Sequence, residues 1–206
     1  MNKSTTRQTL AKNAIALFKE KGYDNVSVDE IASGCSKTRT FFYHYFKSKE
    51  DLTIYLSEIE GKNLEKVLKE VENVYVKEPY KRLRKLFIDK MTFLYYSDLY
   101  RIAVKNDLFN KIEHISLIQD KIDKEILRQS TAIIEEGVRL GCFIVNKDVA
   151  SFLEFYQKMQ KGIEYSFVDE EDDGSFLRNY SIAVDLLIKA ISTDKKVTAD
   201  ILDDMN

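Results

Sequence analysis

The sequence predicts an all-α protein, and three observations predict it. Apolar residues recur three and four positions apart in segment after segment. Helix breakers are scarce, with seven glycines and one proline in 206 residues. No stretch alternates apolar and polar residues as a half-buried strand would, and no segment repeats.

The first helix is expected to open at Thr5, with Gln8 three residues on as a capping-box partner. Leu10, Ala14, Leu17 and Phe18 mark its buried face. Lys19 and Lys21 crowd the last turn, where the helix dipole favours cations, and Gly22 ends it. The second helix repeats this grammar, with Ser27 as N-cap, Glu30 as its N3 partner, Val26 and Ile31 as a hydrophobic staple, and Gly34 as the stop. A third short helix follows Thr38 and runs through Tyr45. A fourth begins at Ser48 with Asp51 at N3, and its apolar positions continue to Tyr75.

Pro79 suits a first helical position, and Leu83, Leu86, Phe87, Lys90, Met91 and Leu94 line one face of a helix to about Ser97. A looser segment covers Asp98 to His114. Ile115, Ile118, Ile122, Ile126, Ile133 and Ile134 mark a long helix ending at Gly141. Val149 to Val168 and Ser175 to Ser192 form the last two helices. Both are apolar on more than one stripe, with Ile182 and Leu186 beside Ala183 and Leu187, as expected of helices buried on several sides. The domain reading is a head over 1–50 with a linking helix to about 75, a helical body over 76–192, and a polar tail over 193–206.

The composition, 44% hydrophobic and 32% charged, is that of a globular chain. The first ten residues carry no apolar signal-peptide core, and no run of about 18 apolar residues marks a membrane span. Cys35 and Cys142 stand far apart and read as buried thiols rather than a redox pair. The net charge of −2 hides an asymmetry. Residues 1–49 hold nine lysines and arginines against four acids, a surplus of five positive charges, so the remainder carries a surplus of seven negative ones. A basic head on an acidic body suits a protein that meets phosphate at one end.

Helices two and three, joined through Gly34-Cys35-Ser36-Lys37, have the helix-turn-helix layout between Ser27 and Phe46. The third helix would lie in the major groove with its N-terminal residues facing base edges. Lys37, Thr38, Arg39 and Thr40 supply short or forked donors there, and arginine is the commonest specific reader of guanine. Tyr43, His44 and Tyr45 carry polar tips that reach bases or phosphates. Of the adjacent pair, Phe42 is taken as core and Phe41 is left as a possible contact. Ser27 and Lys49 sit at helix N-termini, which are natural phosphate sites. The bland alternative for each of these residues is a solvated helix start or surface packing.

From Ala16 to Leu56 the chain resembles the DNA-binding head of the TetR family of transcriptional regulators. The matching residues are Leu17-Phe18, Gly22-Tyr23, Val26-Ser27-Val28, Ile31-Ala32, Phe42-Tyr43-His44-Tyr45-Phe46 and Lys47-Ser48-Lys49-Glu50-Asp51-Leu52. The resemblance implies an all-helical homodimer of nine or ten helices per chain and a ligand-binding C-terminal body. The last two helices would form the dimer's four-helix bundle, and a small molecule would relieve repression of operator DNA. It also implies a cytoplasmic, nucleoid-associated bacterial protein. One departure stands out. Ser36 occupies the place of the family's turn glycine and Lys37 that of an apolar residue.

On family placement, Tyr96, Phe109, Tyr156 and Met159 are expected to line the effector pocket. Phe152, Tyr156, Ile163, Ala183, Leu187 and Ile191 are expected at the dimer interface. Aromatics at helical spacing are equally well read as plain core. The acidic run Asp169 to Asp173 reads as a solvated loop, and His114 has no partner at metal-ligand spacing, so neither a metal nor a cofactor is expected. The leading function is a ligand-responsive dimeric repressor. An activator or corepressor-dependent regulator is the near alternative, and an enzyme or small-molecule carrier the remote one. Against an enzyme, there is no nucleophile–base pair, HExxH or glycine-rich phosphate loop.

Overall fold

A computed structural model describes residues 3–144, 149–166 and 175–193. Within them the chain forms α1 (Lys3–Lys21), α2 (Val28–Ser33), α3 (Arg39–Tyr43), α4 (Lys49–Glu72) and α5 (Pro79–Tyr96). These are followed by α6 (Asp98–Lys105), α7 (Leu108–Lys111), α8 (Glu113–Arg139), α9 (Val149–Ser166) and α10 (Ser175–Ile191). The all-α expectation is met. The only strand-like pairing among the described residues is a single antiparallel bridge between Phe143 and Ser192. No helix among them is long and apolar enough to cross a membrane.

Several boundaries move. α1 already runs from Lys3, so Thr5 lies inside the helix rather than capping it. α3 stops at Tyr43, two residues short of the expected end. α4 ends at Glu72, and Tyr75 takes a left-handed backbone, φ +52°, three residues on. The segment read as loose is mostly helical. It is interrupted at Asn106-Asp107, where Asp107 has φ +55°. The polar tail beyond Thr193 and the acidic run Asp169–Asp173 lie outside the described residues.

The chain divides into two compact units, Met1–Lys62 with Ser97–Asp120, and Asn63–Tyr96 with Lys121–Asn206. The expected boundary near residue 50 is therefore too early, and the head is discontinuous. The reason is visible in its core. Leu10, Ala14, Phe18, Val26, Ile31, Phe42, Phe46 and Leu52 pack with Ile102, Ala103, Leu108, Ile112 and Ile115 of α6–α8. Two polar ties reinforce this. Tyr23 N–H donates to Asn106 Oδ1 at 2.9 Å, and Lys111 Nζ lies 2.8 Å from Asp24 Oδ2.

In the second unit the buried face of α5 carries Leu83, Leu86, Phe87, Met91 and Leu94. α10 packs on α5 with Tyr180, Val184 and Ile188 buried. Arg84 clamps the pair, its guanidinium meeting Asp185 at 2.7 and 3.1 Å and Ser181 at 2.8 Å. α4 and α8 are laced on their surface by Lys121–Glu65 and Arg128–Glu72, both at 2.7 Å.

Candidate nucleic-acid interface

The site starts from two well-made helix ends. Ser27 Oγ accepts from Glu30 N–H at 3.2 Å, and Glu30 Oε2 accepts from Ser27 N–H at 2.8 Å, a complete capping box. Lys21 adds a 2.8 Å ion pair to Glu30. With these partners the Glu30 carboxyl is held at a pKa of about 2, first by Lys21 and then by the Ser27 bonds. The staple residues Val26 and Ile31 are both buried. Thr38 then caps α3, its Oγ1 accepting from Phe41 N–H at 3.2 Å.

The turn between these helices resolves the sequence anomaly. Gly34 ends α2 as its C-cap, as expected, with a helical backbone at φ −61°. Its missing side chain serves packing. A Cβ there would fall 2.4 Å from Asn13 Nδ2, which donates to Ile31 O at 2.9 Å. The left-handed residue is Ser36, at φ +55°. Lys37 N–H reaches Ala32 O at 2.9 Å and Ser36 N–H reaches Ser33 O at 2.8 Å, the two bonds of a Schellman motif. Serine thus does glycine's work at a steric cost. Lys37 is exposed, and its ammonium lies over the Phe41 ring at 5.1 Å. Ser36→Gly is expected to stabilise the protein by about 0.5–1 kcal/mol in urea unfolding, since relief of left-handed strain outweighs the extra freedom of the unfolded chain. A loss of stability would show that the serine side chain itself supports the turn.

Phe42 and Phe46, one helical turn apart and at 0% and 1% exposure, fix the rotation of α3. Their rings meet at 5.6 Å. With that phase, Lys37, Thr38, Arg39, Thr40, Tyr43 and His44 are all exposed on one surface, continued by Lys47 and Ser48. Phe41 and Tyr45 are half-buried and pack on each other at 5.2 Å, so they offer edges rather than free side chains.

Three predicted contacts are already engaged. Arg39 meets Asp29 of α2 at 3.1 Å and Tyr43 Oη at 3.4 Å, which holds its guanidinium over the surface. Ser27 Oγ is tied to Glu30, within the cap. Lys49 Nζ donates to Tyr23 O at 2.6 Å and Val26 O at 2.8 Å and sits over the Tyr23 ring, and burial lowers its pKa. Lys49 is therefore foremost a strap from α4 to the α1–α2 loop, with two of its three N–H groups in use. Asp29 escaped the sequence reading. The available signal was an exposed acid ten residues before the arginine across a tight turn.

The residues predicted in the body are dispersed. Phe109 belongs to the first unit, packed on its core and 5.8 Å from the Tyr100 ring. In the second unit Tyr96 and Met159 are exposed, at 72% and 45%, while Tyr156 is 8% exposed against Phe87. Among the expected interface residues, Ile163 and Ala183 are exposed and Leu187 half-buried. Tyr156 and Ile191 are buried within the single chain and cannot offer a surface, and the Phe152 side chain lies outside the described residues. The exposed apolar stripes run instead through Phe155, Met159 and Ile163 on α9 and through Ala183 and Leu186 on α10.

Comparison with known proteins agrees with this geometry. Residues 10–56 match the profile of bacterial regulatory proteins of the tetR family. The segment is 47% identical over 51 residues to the transposon Tn10 TetC protein of Escherichia coli, covering 25% of this chain and 26% of that protein. A longer match, 27% identical over 110 residues, joins 53% of this chain to 51% of the transcriptional regulator AcrR of Shigella flexneri. The chain thus spans about a quarter to a half of these curated relatives. The fold extends further. The ketosteroid regulator KstR2 of Mycobacterium tuberculosis superposes with a TM-score of 0.70 at 19% identity, over 92% of this chain and 96% of its own. FadR of Bacillus subtilis, solved with stearoyl-CoA, gives 0.69 at 19%, over 89% and 98%. The helix-turn-helix within residues 10–56 thus matches the tetR family of bacterial regulatory proteins, and the chain shares the all-helical fold of the solved regulators.

Proposed function

We propose that the protein is a sequence-specific DNA-binding transcriptional regulator, acting as a homodimeric repressor that a small molecule releases from operator DNA. The observation that carries the reading is the rotation of α3. Phe42 and Phe46 face inward, and the opposite face presents Lys37, Thr38, Arg39, Thr40, Tyr43 and His44 together. That surface has forked and short donors at a helix N-terminus, as major-groove readout requires. Lys47 and the start of α4 lie in the same chain stretch and suit phosphate contacts, which set register. A cytoplasmic location beside the nucleoid follows from such a target.

Dimerisation is supported by the exposed stripes on α9 and α10, since exposed apolar side chains such as Phe155 and Met159 on α9 and Leu186 on α10 suit a covered surface. Two recognition helices would then stand about 34–36 Å apart to enter successive major grooves. A ligand lowers operator affinity only by binding better to a state with another separation. IcaR of Staphylococcus aureus, 37% identical over 46 residues, is a negative transcriptional regulator, which favours repression here.

The test is fluorescence anisotropy with the DNA upstream of the protein's own gene, at two salt concentrations, against scrambled DNA. Specific binding is expected, and Arg39→Ala should weaken it by roughly 10–100-fold while leaving scrambled-DNA affinity almost unchanged, because one bidentate base contact is worth about 1–3 kcal/mol. Equal loss on both DNAs would make Arg39 a phosphate contact. No enriched site in a genome-wide selection of bound fragments would overturn the reading.

A further inference from the structure

Gln160 of α9 sits in the core of the second unit at 1% exposure. Its Nε2 donates to the hydroxyl of Tyr156, at 2.9 Å, and to that of Tyr180 on α10. Its Oε1 is buried and has no hydrogen-bond partner among the described residues. Turning the amide over exchanges the two halves and leaves orphan N–H donors in place of the orphan carbonyl. Either way half of a fully buried amide is unmatched, and native interiors rarely tolerate this without a reason. A leucine or methionine would fill the same place without that desolvation cost.

The surroundings are aromatic. Phe87 of α5 lies 5.0 Å from the Tyr156 ring. Phe176 stacks on Tyr180 at 6.3 Å and, nearly parallel at 4°, on Tyr95 at 5.7 Å. Flat apolar walls around a few converging polar tips are what small-molecule sites are made of. The polar tips are uncharged. Burial pushes the Tyr156 phenol up to about 12, so it stays protonated at neutral pH.

We propose that the Gln160 amide, with the Tyr156 and Tyr180 hydroxyls, is the polar end of a buried binding site. Its ligand is a neutral, flat, largely apolar molecule bearing one hydrogen-bonding group such as a carboxamide. The ligand's polar group completes the unmatched half of the Gln160 amide, and its ring packs against the aromatic cluster that Phe87, Phe176 and the two tyrosines form. A neutral ligand is favoured because the three polar tips, one amide and two phenols, carry no charge to offset the desolvation of an ion. The proposal rests on the reading of the second unit as the effector-binding body.

The experiment uses the full chain and three probes of one size, namely benzamide, toluene and benzoate. Thermal unfolding is followed by circular dichroism. Benzamide should raise the Tm of the wild-type protein by about 3 °C at roughly ten times its Kd. Benzoate should raise it by nothing measurable. In Gln160→Leu the benzamide shift should vanish while any toluene shift persists or grows. Tyr180→Phe, which keeps the ring, should reduce the benzamide shift and serves if Gln160→Leu does not fold. Absence of a benzamide shift in the wild-type protein, or an equal shift in both variants, overturns the proposal and leaves an ordered water as the amide's partner. Anisotropy on the same samples separates the two readings. Operator binding without a benzamide shift rejects only this site, and a benzamide shift without operator preference rejects only the regulator.

Discussion

Phe42→Ala is expected to cost about 3–5 kcal/mol and to abolish operator binding. The ring is 0% exposed and touches Phe46 at 5.6 Å and Tyr43 at 5.7 Å. α3 is only five residues long, too short to hold its own helical structure in water. Its existence therefore depends on this anchor, on the Thr38 cap and on the Schellman turn before it. Removing the anchor takes away a large share of the 5–15 kcal/mol by which domains of this kind are stable. Urea unfolding of the variant should show a lower midpoint, and specific anisotropy should be lost. A variant that keeps wild-type stability but loses DNA binding would mean that Phe42 faces the DNA, and the rotation assigned to α3 would be wrong.

The parts of this site that were legible in the sequence are those governed by local rules. Ser27 with Glu30, Thr38, and Ser48 with Asp51 are cap signals readable within four residues, and each is made as written. Phe42, taken as the core member of the adjacent pair, is buried. One local reading failed for a physical reason. Thr5 and Gln8 fit the cap pattern, yet residues before them also take helical conformation, so the helix runs past the signal. Gly34 does stop α2 as its C-cap, while the left-handed residue is Ser36 and the glycine's missing side chain lets Asn13 approach.

What local rules cannot reach is long-range pairing. Asn106 closing on Tyr23 joins residues 83 positions apart, and no spacing in either segment announces it. That contact, with Ile102 and Leu108 in the head's core, is why the domain boundary at residue 50 was too early. The body suffered in the same way. Tyr156 looked equally suited to core, pocket and interface, and only the packed helix shows it turned inward, away from Phe155 and Met159. Gln160 carried a usable signal that was passed over, an amide in phase with the apolar positions Leu153 and Tyr156.

Arg84→Met is expected to destabilise the second unit by about 3 kcal/mol, the lower end of the range for breaking a buried pair, because the arginine side chain is itself 35% exposed. The cost falls on Asp185, whose side chain is 3% exposed and would be left as a carboxylate without its main partner. The double variant Arg84→Met with Asp185→Leu should recover to within about 1 kcal/mol of the wild-type protein, since an apolar pair of similar size removes the buried charge altogether. The cycle separates two roles that a single substitution confounds. Asp185 and Leu186 are neighbours on α10, one buried and one 60% exposed, so the Arg84 clamp also sets which face of α10 is turned outward. If that outward face is the dimer surface, the double variant regains stability but not the dimer, and sedimentation will show monomers that bind operator DNA weakly. Dimers in the double variant would mean that the apolar packing of Val184 and Ile188 is enough to orient the helix, and that the ion pair contributes stability alone.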